Sequence, residues 1–195
     1  MRNPILLAAA ALAALSGCYL EVPSEVVEGR VVATRRDPGA DFGAFATFRI
    51  NPSWTVYDDD NPDGLPLALP SQIEARIRQN LEDRGYVEDL VNPPDLGVQV
   101  TAIIGQIDVW YPGYWCDPYW GYCYGWGTSY SYQVGTMVME LIDLADATPG
   151  GDAAILWDAT SYGVLFGPPI EYDLPNLLES VDRAFAQSPY IQAAP

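Results

Sequence analysis

The chain contains no histidine and no lysine, and all nine of its basic residues are arginine. The commonest general base is therefore missing, and with it the Ser-His-Asp and Cys-His arrangements. Schiff-base lysines and the P-loop lysine are excluded as well. An enzyme built from this sequence would have to work with carboxylates, tyrosine or serine.

Positive charge is also scarce. Twenty-six acidic residues against nine arginines give a net charge of −17. A field of this sign repels nucleic acid and anionic headgroups, so nucleic acid is not expected as a partner. The acidic residues are dispersed and 49% of the chain is hydrophobic, which indicates a folded acidic domain rather than a disordered one.

The N-terminus has the pattern of an export signal. Arg2 precedes the uninterrupted apolar run "ILLAAAALAAL". This run is much shorter than the roughly 20 residues that span a bilayer, but it suits the apolar region of a signal peptide. It ends in "LSGC", which resembles the lipobox of bacterial lipoproteins. An ordinary signal peptide that happens to contain a cysteine, or an uncleaved anchor, is the alternative.

The lipobox resemblance implies that Cys18 carries a diacylglycerol and that the chain is cut just before it. Residues 1–17 would then be the signal peptide and residues 18–25 a lipidated tether, with acyl chains such as palmitate holding the protein in a membrane that faces the periplasm. Tyr19 follows the cysteine in place of an inner-membrane retention aspartate, which favours the outer membrane over the inner. No cofactor is expected besides this covalent lipid.

Only three cysteines are present. If Cys18 is lipidated, Cys116 and Cys123 remain as a natural pair, and disulfides persist in the periplasm. A metal site on the same two residues lacks histidine or a further cysteine to complete it. We therefore predict a Cys116–Cys123 disulfide and no metal there.

The remaining chain, residues 26–190, has the length and patterning of one domain. Runs rich in β-branched and aromatic residues predict strands over 26–36, 42–50, 95–109, 132–146 and 153–165. In the second run Phe42, Ala44, Ala46 and Phe48 fall on one face. Residues 51–70, rich in proline and aspartate, are expected to form a loop.

Two amphipathic helices complete the prediction. Ser71 and Glu74 match a capping box, and Gly85 stands where a helix C-cap is expected. Asp173 is the predicted N-cap of the second helix. The apolar residues at helical spacing are Ile73, Ile77 and Leu81 in the first helix and Leu174, Leu177, Leu178, Val181 and Phe185 in the second. The order β-β-α-β-β-β-α predicts an α+β two-layer sandwich, a mainly antiparallel sheet with both helices on one face.

Several motifs occur in a familiar order: "DFGAFATFRI", "IEARIRQNLEDRGYVE", "PDLGVQVTA", a Gly/Tyr/Trp-rich loop, "YQVGTMVMELIDLAD" and "ILWDATSYG". Together they resemble the DUF4136 family of bacterial lipoproteins, over roughly residues 25–187. The resemblance implies an envelope lipoprotein with an α+β domain. It implies no activity and carries over no catalytic residues.

The segment 110–132 concentrates aromatic rings and is expected to be an insertion between two strands. Its rings could stack on glycans, contact another protein, or pack on the sheet as a hairpin. The candidate binding residues are Trp115, Tyr119, Trp120, Tyr122, Tyr124 and Trp126.

The carboxylates offer two chemical alternatives. Asp59, Asn61 and Asp63 match the first positions of a calcium loop, but the required bidentate Glu falls on Pro70. A carboxylate pair drawn from Glu140, Asp143, Asp146 and Asp158 would suit a hydrolase or glycan-processing enzyme, if held at the right separation. The favoured expectation is a non-enzymatic envelope domain that binds or scaffolds an envelope protein or glycan.

Overall fold

The structure is a computed structural model. It describes residues 31–58, 61–104, 107–116, 123–132, 135–145, 147, 152–166 and 171–194. Within that set, the backbone alone is described for 61–66, 107–116, 123–124, 126–132, 166 and 171. The predicted signal peptide, tether and lipidated Cys18 lie outside the described residues.

Twelve strands and two α-helices are the main described elements. In chain order they are β1 Val32–Arg36, β2 Thr47–Ile50, β3 Ser53–Asp58, β4 Asn61–Ala68, α1 Ser71–Glu82, β5 Val87–Glu88, β6 Leu96–Ile103, β7 Ile107–Cys116, β8 Cys123–Tyr132, β9 Thr136–Asp143, β10 Ala154–Ser161, β11 Leu165–Phe166, β12 Glu171–Tyr172 and α2 Leu174–Ala186.

Eight strands form one mostly antiparallel sheet. Its order is β1-β10-β9-β6-β2-β5, and β3 extends the β2 side of β6 and pairs with β4. The pairs β2–β6, β2–β5 and β3–β6 are parallel. Among the described strands, β7 pairs only with β8, and β11 only with β12, in separate two-stranded ribbons. The predicted α+β class with a mainly antiparallel sheet is confirmed.

Both helices pack on one face of this sheet, as predicted. Ile73, Ile77 and Leu81 of α1 are fully buried. They share a core with alternate residues of the sheet and with α2; the central members are Leu96, Val98, Val100, Met137, Met139, Leu141, Trp157, Ala159, Leu177, Val181 and Phe185. Asp173 caps α2 by accepting a hydrogen bond from the Asn176 N–H, as predicted.

The prediction of a capping box at the start of α1 is wrong. Pro70 is the N-cap and makes no side-chain cap, while the Ser71 hydroxyl donates to Gln72. The carboxylate of Glu74 accepts instead from Arg78, one turn further along the helix. Gly85 does adopt the left-handed conformation (φ 88°) that was expected after the helix.

Two boundaries in the first half also differ from the prediction. Phe42–Ala44 is a 3-10 turn rather than strand, because the Asp41 carboxylate caps the Gly43 N–H. Residues 51–70 are not a loop: β3 and β4 form an antiparallel hairpin, and β3 buries Trp54 and Val56. The prolines of that segment lie in β4, which pairs with β3 alone and so tolerates missing N–H donors.

The predicted strand 95–109 is divided between β6 and β7, and the aromatic segment is a hairpin in its backbone. β7 and β8 pair in register from Ile107–Tyr132 to Cys116–Cys123. The hairpin leaves the sheet at the end where Ile103 faces Thr136. Gly125 nevertheless accepts a hydrogen bond from Ala153 (3.0 Å), at the opposite end of the sheet. The hairpin therefore turns back along the sheet.

The central strands also bury residues on the face that the helices leave free. We call this face the second face. Its residues on the central strands are buried although neither helix contacts that side: Gln99, Thr101, Thr136, Val138, Glu140, Ile142, Asp158 and Thr160. More than half of them are polar, so the second face differs chemically from the helix-covered core.

Candidate binding site

A row of polar side chains crosses the second face. Arg35, Asp158, Glu140 and Gln99 are directly opposite one another on β1, β10, β9 and β6. Asn51, just after β2, extends the row by donating to the Gln99 side-chain oxygen (2.7 Å). Directly opposed residues have Cβ atoms about 4.5–5.5 Å apart, so the carboxylates of Glu140 and Asp158 are neighbours. We call these five residues the polar row.

One end of the polar row is an ion pair at the edge of the sheet. Nε and Nη2 of Arg35 approach the same oxygen of Asp158, Oδ1, at 2.8 and 2.7 Å. The Asp158 side chain is 11% exposed and that of Arg35 is 54% exposed. Burial raises the pKa of Asp158 above its ordinary value, and the hydrogen bond and charge of Arg35 oppose this rise only in part.

The raised pKa of Asp158 predicts a pH dependence of stability. An acid whose folded pKa is raised contributes stability that is fully present below its unfolded pKa of about 3.9 and is lost as pH rises through the folded pKa. We expect Asp158→Asn, which cannot ionise, to be more stable than wild type at neutral pH. The difference should shrink as pH falls to about 4, as measured by urea unfolding across pH. A constant difference at every pH would contradict this.

A cavity of about 340 Å³ opens beside the Arg35–Asp158 pair. β1 ends there, and the Asp37 N–H makes the last backbone hydrogen bond to β10, at Leu156. Six residues that contribute to its lining are Arg35, Arg36, Asp37, Pro38, Ile155 and Asp158. We call it the edge cavity. Its volume lies in the size range of small-ligand pockets, and its lining includes both charged residues and the apolar Pro38 and Ile155.

A second surface lies at the opposite edge of the sheet, in the loop of residues 89–92. Arg49 is buried on the second face and donates to the carbonyls of Asp89 (2.7 Å) and Asn92 (2.6 Å). The Asp89 carboxylate accepts from the N–H groups of Asn92 and Val91. These bonds from Asn92, then Val91, hold the pKa of Asp89 below its ordinary value. The 89–92 loop is thus held in one conformation while Leu90 and Val91 stay exposed.

The edge cavity and the 89–92 loop both belong to a sheet-and-helix domain that matches a known family. The profile of the domain of unknown function DUF4136 matches residues 32–190. The chain belongs to the DUF4136 family. The family resemblance seen in the sequence motifs is thereby confirmed. The family is one of unknown function, so a function for this chain has to be inferred from its residues.

A solved structure of the same family agrees with this assignment. A DUF4136 family protein from Bacteroides thetaiotaomicron is 28% identical, with 83% of this chain and 97% of that chain covered and a TM-score of 0.62. A PDZ domain protein from Parabacteroides distasonis is 19% identical (82% and 34% covered, TM-score 0.40). A PelC dodecamer from Paraburkholderia phytofirmans is 16% identical (84% and 97% covered, TM-score 0.37). No curated protein matches the chain.

Most of the predicted site residues of this DUF4136 protein stay untested. Cys116 and Cys123 face each other in the β7–β8 register, a separation that suits a disulfide, but the bridge itself remains a prediction. The side chains of the candidate calcium ligands and of the aromatic binding residues lie outside the described residues: Asp59, Asn61, Asp63, Trp115, Tyr119, Trp120, Tyr122, Tyr124 and Trp126. Among described residues, no helix is long and apolar enough to cross a membrane.

The DUF4136 domain brings together part of the predicted carboxylate set. Glu140 and Asp158 are adjacent and buried, whereas Asp143 lies at the end of β9 and Asp146 is outside the described residues. Sequence reasoning missed Arg35 and Arg49. Arg49 did carry a signal, since it stands between Phe48 and Ile50 in a strand and so points away from the helix-covered core.

Proposed function

We propose that this protein is a lipid-anchored domain of the bacterial cell envelope that binds another envelope component without catalysing a reaction. Cys18 carries the lipid, the domain faces the periplasm, and the outer membrane is favoured over the inner. An envelope protein is the favoured partner, with envelope glycan as the alternative ligand of the aromatic hairpin. One observation carries the choice of a protein partner: the 89–92 loop.

The 89–92 loop has the properties of a preorganised contact surface. Val91 is 74% exposed, Leu90 is 53% exposed, and Val87 of the adjacent edge strand β5 is 63% exposed. Exposed apolar side chains grouped in this way mark interaction sites more than isolated ones do. Because Arg49 and Asp89 already fix the loop backbone, little conformational entropy is lost on binding.

The test places a photo-crosslinking residue at position 91 in the full-length protein in cells. We expect one defined protein adduct, which a crosslinker at exposed Gln72 on α1 does not give. The double substitution Leu90→Ser/Val91→Ser should weaken affinity for the purified adduct partner by roughly 30-fold, the equivalent of about 2 kcal/mol. In the same cells Cys18→Ala should move the protein from the membrane fraction to the soluble fraction.

A comparison with the aromatic hairpin decides whether the 89–92 loop or the hairpin is the contact surface. Trp115→Ala/Trp120→Ala should leave the position-91 adduct unchanged. If that variant abolishes the adduct while Leu90→Ser/Val91→Ser retains it, the contact surface is the hairpin and the loop assignment is wrong. If Cys18→Ala stays membrane-bound, the lipid anchor is wrong.

A carboxylate-based hydrolase or glycan-processing enzyme is the second candidate, and one observation favours it. Glu140 and Asp158 are side by side, and the raised pKa of Asp158 suits a general acid. Against it, Glu140 is 1% exposed and is absent from the described lining of the edge cavity. Cleavage of isolated envelope glycan that is lost in Asp158→Asn would establish the enzyme in place of the binding domain.

A further inference from the structure

The chain has few cations, and almost all of them can be placed in the fold. With no lysine and no histidine, only its nine arginines carry positive side chains, and all except Arg2 and Arg30 are described. Arg35 and Arg36 belong to β1, the edge strand on the opposite side of the sheet from β5. Five strand spacings of about 4.8 Å separate these two edges, so both arginines are remote from the 89–92 loop.

The other described arginines are engaged by groups of the domain itself. Arg49 is 2% exposed and donates to two carbonyls of the 89–92 loop. Arg78 pairs with one glutamate of α1 and one of β5. Arg84 donates to one carbonyl in the last turn of each helix. Arg76 and Arg183 pair with carboxylates of α2. An acidic partner would therefore have to displace an existing contact to reach a guanidinium beside the loop.

Carboxylates, in contrast, are exposed around the 89–92 loop. α1 ends at Glu82 and Asp83, both exposed, and its last turn contains no basic residue. The chain then turns directly into β5, since the N–H of the residue before β5 still bonds to a carbonyl of α1 (3.2 Å). Asp83 is four residues before Val87, hence no more than about 14 Å from it. Asp89 belongs to the loop itself. We call Glu82, Asp83 and Asp89 the acidic rim.

The acidic rim and the exposed apolar side chains together define the chemistry of a matching partner. Binding surfaces commonly combine an apolar centre with a polar rim, and charges across an interface are complementary. A second copy of this chain also carries a net charge of −17, so its approach would bring carboxylates together with few cations to pair them. A basic partner meets the opposite charge at the rim and apolar groups at the centre.

We propose that the partner bound by the 89–92 loop is a basic protein segment. Its apolar side chains contact Val87, Leu90 and Val91, and its lysines or arginines face the acidic rim. This inference rests on the proposed function and specifies the chemistry of the partner. The net charge of −17 steers such a segment toward the domain and raises its association rate, an effect that salt weakens.

Three defined peptides test the proposal on the full-length protein in a neutral detergent. One alternates leucine and lysine, one alternates leucine and glutamate, and one alternates serine and lysine; each carries a fluorescent label. The protein carries a photo-crosslinking residue at position 91 or, as the positional control, at Gln72. The dependence of adduct yield on peptide concentration gives an apparent Kd at each position.

The leucine–lysine peptide should saturate the position-91 adduct with an apparent Kd of the order of 0.1 mM. The other two peptides should bind about tenfold more weakly, because one meets carboxylates with carboxylates and the other lacks apolar groups. At position 72 the leucine–lysine peptide should not saturate in the same range.

A pair of matched variants separates the acidic rim from the charge of the whole protein. Glu82→Gln/Asp83→Asn should weaken the leucine–lysine peptide about fivefold. Asp152→Asn/Glu179→Gln removes the same number of exposed carboxylates, before β10 and on α2, and should behave as wild type. The two variants have equal net charge, so a difference between them comes from the rim.

The proposal is overturned if the leucine–glutamate peptide binds as well as the leucine–lysine peptide, or if the two double variants lose affinity equally. Crosslinking of two copies of this protein through position 91 would also overturn it. Failure of the proposed function gives a different pattern, in which no protein adduct forms in cells while the peptide preference is intact. An adduct in cells without any peptide preference would refute the basic partner alone.

Discussion

Replacing Gly135 with alanine should destabilise the domain by more than about 3 kcal/mol. Gly135 adopts a left-handed φ of 83°, and a Cβ built there would lie 2.3 Å from the carbonyl oxygen of Leu165. Backbone strain and collision with backbone therefore act together. The oxygen cannot move away easily, because the Leu165 N–H is hydrogen-bonded to the Gly135 carbonyl (3.1 Å) in the same turn.

Substitutions at two further glycines allow the cost of backbone strain to be measured separately from the cost of steric collision. Gly85 is also left-handed (φ 88°), but its nearest neighbour would be the Ala193 Cβ at an ordinary 3.5 Å, so Gly85→Ala should cost only about 1–2 kcal/mol. Gly43 has no left-handed φ and a nearest contact of 3.4 Å, so Gly43→Ala should stay within about 0.5 kcal/mol. Urea unfolding of the three variants measures the series. Equal effects at Gly135 and Gly85 would show that the Leu165 contact is not important.

Replacing Trp157 with alanine should cost about 3–5 kcal/mol, the largest expected effect in the core. Trp157 is 1% exposed on β10, and its ring lies 5.4 Å from the Phe185 ring of α2. Its Nε1–H donates to the Ser188 hydroxyl (2.8 Å), which joins the sheet to the segment after α2. The substitution removes the ring packing and this hydrogen bond together.

A double-mutant cycle separates the two contributions of Trp157. Trp157→Phe keeps most of the packing and removes the donor, while Ser188→Ala leaves a buried indole N–H unsatisfied at a cost of about 1–3 kcal/mol. The double variant Trp157→Phe/Ser188→Ala should recover about 1 kcal/mol relative to the sum of the two single changes. Strict additivity in urea unfolding would mean that the hydrogen bond contributes nothing to stability.

The parts of the fold that could be predicted are those determined by local pattern. The four-residue spacing of Ile73, Ile77 and Leu81 indicates a helix because only a helix places them on one face. The Asp173 cap and the left-handed Gly85 likewise depend on their immediate neighbours. Local ambiguity explains the failures: the short run from Phe42 to Ala44 is compatible with a strand, and only the Asp41 cap makes it a 3-10 turn.

The candidate site was harder to predict because register is a long-range property. Glu140 and Asp158 could be named as acids on neighbouring strands, but nothing in either segment shows which residues face each other. Arg35 is 123 residues from Asp158 in the chain. Arg49 reaches the 89–92 loop only because β5 aligns beside β2. Such neighbours require the assembled sheet, so motifs alone could not identify the polar row or the 89–92 loop.

The pairing of β1 with β10 has a consequence for how the chain acquires its fold. β1 is synthesised well before its partner strand, which begins at Ala154. The central pairs β6–β9 and β9–β10 join segments much closer in sequence and can form first. β1 therefore joins the sheet late, after closure of a long loop, and its edge remains open to chaperones or to wrong partners until then.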